Sequence, residues 1–472
     1  MPEIGCPISV HARLTPQACA VRDRGNEISY LELDRRINAA VRRITQDGPA
    51  AGSRVGLFAR NSLDHIAALF SLWRAGCVSV LFNPRYPVPA AKALASQLDC
   101  ASFVDDSDLA ASVAAMPLTG PDAAEAVGFA ADQAAAVVFT SGSQGMPKAA
   151  VLSCGNFHYN AVGAADAIAV GPRDRWLLSL PLFHVGGIGI LWRCFSAGAA
   201  VVLGHDEQDP AAVLVRDGVT HVSLVPTQLA RLLEGPGGVA AARALKAILL
   251  GGAPIPVRLL EKAVAAGLSI HISYGLTETA SQVATSSRLG AADAVAACAR
   301  VLPYRELKLA DDGEIMVKGA VLFQGYACAS GMEKPFDADG WFATGDTGEL
   351  DADGRLRVKG RKDNMFFRGG ENIQPEEVEA WLLKVPGVAA ALVAGKPDEE
   401  FGSVPVALIR CMRGAEVSRA LLAAHLCRSL PKFKVPADFF RWPQAEGPEP
   451  LKVDRPRWAG VLVSGEGLER IA

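Results

Sequence analysis

Short runs of β-branched and aliphatic residues alternate with helix-period segments along most of the chain before Leu302. That alternation restricts the fold more than any other feature. Strands are predicted over 55–59, 136–140, 199–203, 221–225, 246–250 and 269–273, with helices over 63–74, 228–233 and 257–266. Strands spaced by helices predict parallel α/β layers, although fold class alone assigns no activity. From Leu302 the pattern changes to short strands separated by acidic glycine turns, LADDGEIMVKG and DADGRLRVKG, which predict β-hairpins. Beyond Arg361 a smaller unit follows, with helices over 375–383 and 419–428 and strands near 389–394, 404–411 and 438–442. Glycine and charge interrupt the two regions at GRKDN (360–364), which predicts domains 1–362 and 363–472. The expected fold is α/β: a large N-terminal domain of layered α/β subdomains plus a β-rich subdomain, then a small mobile α+β C-terminal domain.

Composition excludes several alternatives. With 472 residues, half of them hydrophobic, the chain has ample material for a globular core. Lys+Arg 47 against Asp+Glu 50 gives a net charge of −3, which argues against nucleic acid or an anionic membrane as the main partner. Ten scattered cysteines form no C-x-x-C pair and no cluster with histidine, so they read as small buried hydrophobes of a reducing compartment. The N-terminus, MPEIGCPISVHARLTPQ, lacks the apolar core of a signal peptide. The most apolar stretch, 177–203, is broken by Pro181, His184 and Arg193 too early to span a bilayer. A cytoplasmic protein with no membrane span is expected, and the sequence is compatible with a homo-oligomer.

One segment stands apart. In VVFTSGSQGMPKAAVLS (137–153) two apolar runs flank Thr140, Ser141, Gly142, Ser143, Gln144, Gly145 and, past a proline, Lys148. Gly142 and Gly145 permit positive φ and close backbone approach, so that amides can converge on an anion, and Lys148 adds a point charge suited to phosphate. The pattern is not the G-x-x-x-x-G-K-[ST] P-loop. Taken alone, it also reads as a Ser/Gly-rich surface turn.

Four further segments, in order, extend it: LLGGAPIP (249–256), YGLTET (274–279), GWFATGDTGEL (340–350) and GRKDNMFFRGGENIQPEEVE (360–379), with a shorter LKVDR at 451–455. Together they resemble the adenylate-forming superfamily of acyl-CoA synthetases, luciferases and peptide-synthetase adenylation domains. The resemblance implies an ATP-, Mg2+- and CoA-dependent enzyme in which the loop from Thr140 to Lys148 cradles the β,γ-phosphates and Thr277 adds a hydroxyl. Glu278 would hold Mg2+, a hard cation that prefers carboxylate oxygen. Adenine would lie between the Gly251, Gly252 and Ala253 backbone and Tyr274, beside Gly275, with Asp346 and Arg361 on the ribose. Asp363 matches the hinge of the mobile C-terminal domain, Gly370 the glycine beside the pantetheine arm, and Lys452 the lysine that bridges carboxylate and α-phosphate. Two positions depart from the pattern: Gln144 replaces the usual Thr, and Leu451 stands in a glycine's place.

SLPLFHVGGIGILWR (179–193), HVSLVPTQLARLL (221–233) and FFRGGENIQPEEVE (366–379) resemble the o-succinylbenzoate–CoA ligase branch, whose substrate is an aromatic keto-diacid. The resemblance implies that Arg193 and Ser223 contact the carboxylate that is not activated, and that His184 gates the acyl pocket. Arg193 also reads as an interface or helix-end arginine, and His184 as a core histidine. Another aryl- or acyl-CoA ligase, a carrier-loading domain, a luciferase-like oxygenase and a non-catalytic ATP-binding relative share these motifs.

Overall fold

The computed structural model describes residues 3–109, 127–140, 148–204, 209–290, 298–328, 331–368, 371–398, 401–428, 430–443 and 454–472. Ser141, Gly142, Ser143, Gln144, Gly145, Gly370, Leu451 and Lys452 lie outside them.

Two mixed sheets carry the large domain. One has seven strands in the order Gly331–Glu333, Gly325–Cys328, Lys148–Ser153, Ala134–Thr140, Val78–Leu81, Arg54–Phe58 and Cys100–Asp105. The other has nine: Arg300–Val301, Ser281–Thr285, Ile270–Leu276, Ala247–Gly251, His221–Leu224, Arg175–Leu177, Ala200–Leu203, Cys19–Asp23 and Asn26–Ser29. Every predicted strand is present within a few residues, and the helix Leu63–Arg74 has the predicted bounds. The parallel pairing is confined to part of each sheet, from Ala134–Thr140 to Cys100–Asp105 in one and from Ile270–Leu276 to Cys19–Asp23 in the other. The remaining pairs are antiparallel. Parallel neighbours need a long crossover, whereas strands joined by a short turn pair antiparallel, as Ala134–Thr140 does with Lys148–Ser153.

Three helices, Leu63–Arg74, Cys154–Ala164 and Val185–Ser196, pack into one core with both sheets. Each begins for a local reason. The Ser62 hydroxyl accepts from the His65 amide at 3.1 Å, and Ser153 and Asn156 form a reciprocal capping box. Proline at 181 precedes the third helix, which starts after His184. Trp73, Trp192, Phe70 and Phe157 fill the space between them, with Trp73 4.8 Å from Phe70 and 6.1 Å from Trp192. The Trp73 indole N–H donates to the Ala135 carbonyl at 2.7 Å, whereas the Trp192 indole N–H meets no partner among the described residues.

The acidic glycine turns form the expected hairpins, in a four-stranded antiparallel sheet of Arg305–Leu309, Glu314–Gly319, Phe342–Leu350 and Leu356–Arg361. Beyond it, the hairpin Phe366–Arg368/Glu371–Ile373 leads to a three-stranded sheet of Val388–Asp398, Gly402–Cys411 and Asp438–Arg441. Helices Pro375–Leu382, Arg419–Cys427 and Arg455–Ser464 cover that sheet around a separate apolar core. The result is a large N-terminal α/β domain followed by a small α+β one.

Candidate active site

Several of the singled-out residues stand at the carboxyl ends of parallel strands, where open α/β sheets leave a crevice for ligands. Thr140 ends Ala134–Thr140, Gly251 ends Ala247–Gly251, Ser223 is the penultimate residue of His221–Leu224, and Tyr274 lies near the end of Ile270–Leu276. Gly251 is in register with Ser273, so Gly252 and Ala253 leave the sheet beside Tyr274.

Thr140 and Lys148 are register partners at the facing ends of the strands Ala134–Thr140 and Lys148–Ser153. The Lys148 ammonium lies 4.7 Å from the centre of the Tyr326 ring. The Tyr326 hydroxyl donates to Glu278 Oε1 at 2.7 Å, and the Phe323 amide donates to the Glu278 carbonyl at 2.8 Å. Burial and then the Glu278 charge push the Tyr326 phenol far above its ordinary pKa, so it stays a donor. Thr277 and Glu278 sit on a single tight turn, Thr277–Thr279, closed by the Thr279 hydroxyl on Leu276. The chain leaves that turn through Ala280 at φ 53° and Ser281 at φ 122°, two left-handed positions without glycine, so the turn is strained. Gly275 precedes it, and a side chain there would collide with the Ser281 carbonyl.

A second cluster forms around Asp346. The Tyr274 hydroxyl donates to Asp346 Oδ2 at 2.8 Å, and Arg361 Nη1 donates to Oδ1 at 3.3 Å and to the Thr344 carbonyl at 2.9 Å. Asp346 and Arg361 are register partners on adjacent strands. Gly345, at φ 72°, passes so close to the guanidinium that a Cβ would come within 2.7 Å of Arg361 Nη2. Arg361 Nη2 also donates to Asp363 at 3.2 Å, which links the cluster to the domain junction.

The third cluster surrounds Arg193, on the helix Val185–Ser196. Its side chain is buried, 4.7 Å above the Trp176 ring, and Nη1 donates to Gln282 Oε1. Nε has no hydrogen-bond partner among the described residues, and no carboxylate there pairs with this guanidinium. Burial lowers its pKa to about 10. The Trp176 indole donates to the Ser223 hydroxyl at 3.2 Å, so Arg193 and Ser223 share one wall. His184 is the residue before the helix, exposed, with its ring 4.5 Å from Phe183. A core-histidine reading of His184 is thereby excluded. The motifs did not point to Tyr326 or Gln282, whose importance comes from contacts across the chain.

A family model described as AMP-binding enzyme matches residues 8–327, and one described as AMP-binding enzyme C-terminal domain matches residues 377–446. The chain belongs to the AMP-binding enzyme family. The 2-succinylbenzoate–CoA ligase of Salmonella typhimurium is 37% identical over 441 residues, covering 93% of this chain and 94% of that protein. The o-succinylbenzoate–CoA synthetase of Bacillus subtilis in complex with the acyl-adenylate intermediate superposes with a TM-score of 0.83 at 28% identity, covering 97% of this chain and 98% of that one. The same enzyme in complex with ATP and magnesium ion gives a TM-score of 0.82 at 29% identity, over 93% of this chain and 96% of that one.

Asp346→Asn keeps the side chain's size and removes the charge facing Arg361. ATP binding, measured by calorimetry, is expected to weaken by about tenfold. An unchanged affinity would remove Asp346 from the nucleotide site.

Proposed function

We propose that this chain is an AMP-forming acid–thiol ligase that activates o-succinylbenzoate for menaquinone biosynthesis in the cytoplasm. A carboxylate oxygen of the succinyl arm attacks the α-phosphorus of ATP, and the bond to the β-phosphate oxygen breaks to release pyrophosphate. The CoA thiol then loses its proton and attacks the acyl-adenylate carbonyl, so that a thioester forms and AMP leaves. Both steps place anions together, so charge neutralisation and in-line positioning carry the catalysis.

The residue roles follow the clusters. Thr140, Lys148 and the loop residues Ser141, Gly142, Ser143, Gln144 and Gly145 hold the β,γ-phosphates, with the Thr277 hydroxyl opposite. Glu278 and Thr277 supply hard oxygen donors of the kind Mg2+ takes, and that ion would neutralise phosphate charge when bound. Gly251, Gly252, Ala253, Tyr274 and Gly275 flank adenine, while Asp346 and Arg361 take the ribose hydroxyls. The domain boundary falls at 362/363, with Asp363 as the hinge, so that Lys452 serves adenylation and Gly370 serves the CoA arm. His184 gates the acyl pocket. No helix among the described residues is long and apolar enough to cross a membrane.

The observation that carries the choice of acid is Arg193. A buried guanidinium that meets only an amide oxygen and an aromatic face retains capacity for an anion. The second carboxylate of an aromatic diacid supplies that anion, with the Ser223 hydroxyl beside it. The named ligases to which the chain is similar support the same acid.

The first test mixes the protein with ATP, Mg2+, CoA and a panel of o-succinylbenzoate, benzoate and a medium-chain fatty acid, and follows AMP and each thioester by mass spectrometry. A thioester of o-succinylbenzoate alone is expected; turnover of another acid alone would discard the diacid. Within that test, Arg193→Met keeps an unbranched side chain beside Trp176 and deletes the guanidinium that lies over its ring. The KM for o-succinylbenzoate should rise by about 30-fold relative to the matched monoacid, in which hydrogen replaces the ring carboxylate. Equal changes for both acids would reject the assignment of Arg193. For Lys452→Ala, the adenylation half-reaction should slow by about a hundredfold, while thioester formation from pre-made adenylate changes little. Equal losses in the two halves would sink that role.

A further inference from the structure

Gln282 is the residue whose side-chain oxygen accepts from Arg193 Nη1. It lies on the strand Ser281–Thr285, in register with Gly275, and is 2% exposed. A guanidinium offers only donors, so the amide must present Oε1 to Arg193. Its Nε2 then donates to the Thr285 hydroxyl at 2.7 Å, which fixes the amide in that sense. The main chain is held as firmly: the Gln282 carbonyl accepts from Asn160 Nδ2 at 2.9 Å and from Arg305 Nη1. The side chain therefore reaches Arg193 from an immobile base, as a neutral acceptor.

We infer that Gln282 is a specificity-determining positioning residue, which orients the Arg193 guanidinium while leaving its charge uncompensated for the carboxylate of a diacid substrate. The inference rests on the diacid reading of the pocket. A glutamate would reach the same nitrogen with almost the same length, pair with Arg193 internally, and repel the substrate's second carboxylate. An apolar residue would leave the guanidinium without its orienting contact. The neutral amide alone gives direction without neutralisation.

The test compares the KM ratio, o-succinylbenzoate over the matched monoacid, in Gln282→Glu, Gln282→Met and Arg193→Met, using full-length protein with ATP, Mg2+ and CoA. Gln282→Glu is expected to raise the ratio by about tenfold or more, and Gln282→Met by clearly less. A loss of packing alone would move both acids together and leave the ratio flat. If Gln282→Glu and Gln282→Met raise the ratio equally, or neither does while Arg193→Met does, the inference falls and the diacid pocket stands. If Arg193→Met also leaves the ratio unchanged, both fall. Should Gln282→Glu fail to fold, Thr285→Val reports instead, because it removes the hydroxyl that fixes the amide. A rise of about threefold in the ratio is expected there, and none would overturn the inference.

Discussion

The Asp346 carboxylate holds together segments that are far apart in the chain. It is nearly buried and accepts from Tyr274 on one side and Arg361 on the other. A buried charge without such partners would cost several kcal/mol, so the three side chains are obligatory neighbours. Burial and the Asp346 charge in turn hold the Tyr274 phenol well above its ordinary pKa, which keeps it a donor. Through Tyr274 the carboxylate fixes the end of a parallel strand next to the Gly251–Gly252 turn. Through Arg361 it fixes the last strand before the small domain. The proposed ribose contacts thus lie on groups that the protein's own charge pairing has already set in place, and preorganisation of this kind lowers the cost of binding.

Arginine chemistry separates scaffold from site on the acyl side. Arg305 and Arg193 are both buried and both approach Gln282, and burial lowers the two to about 9 and about 10. Arg305 spends its donors on the main-chain carbonyls of Pro303, Tyr159 and Gln282. Each of its three nitrogens meets one carbonyl, which makes it a strut between strands. Arg193 contacts one amide oxygen and a ring face, and its Nε finds no partner among the described residues. Two residues of one type, equally buried, therefore differ in whether every guanidinium nitrogen is engaged.

The sequence made much of the parallel core, five of the helices and the motif segments legible because each rests on local pattern. Alternation marks the parallel core, and the glycine turns mark hairpins. Antiparallel edges were hidden, since pairing direction depends on connections between runs that themselves look alike. Tyr326 and Gln282 were hidden for a related reason. Tyr326 reaches Glu278 across 48 residues, and Arg193 reaches Gln282 across 89, so no spacing rule connects them. Arg193 itself was visible as an isolated arginine in an apolar segment, but only burial without a carboxylate distinguishes it from a helix-end residue.

Asp363 stands between two sets of local contacts. Before Asp363, Arg361 is bound to Asp346, and Lys362 contacts Asp312 at 2.5 Å and Glu314 at 2.7 Å, both on the large domain. After it, Asn364 donates to Glu376 at 2.6 Å, on the first turn of the helix Pro375–Leu382. Arg455 lies 3.9 Å from Glu376 and forks onto Glu379, which also accepts the Val393 amide. Gln374 Nε2 crosses between the two sets and donates to the Arg361 carbonyl at 3.0 Å, so the contacts on the two sides of position 363 are tied to each other. Arg455 stands three positions after Lys452; it is bound to Glu379 and lies 3.9 Å from Glu376, the glutamate that holds Asn364. The exposed Arg361–Asp363 contact, at 3.2 Å, shares its guanidinium with Asp346. A ligand that competes for that guanidinium at Asp346 therefore acts also on its contact with Asp363.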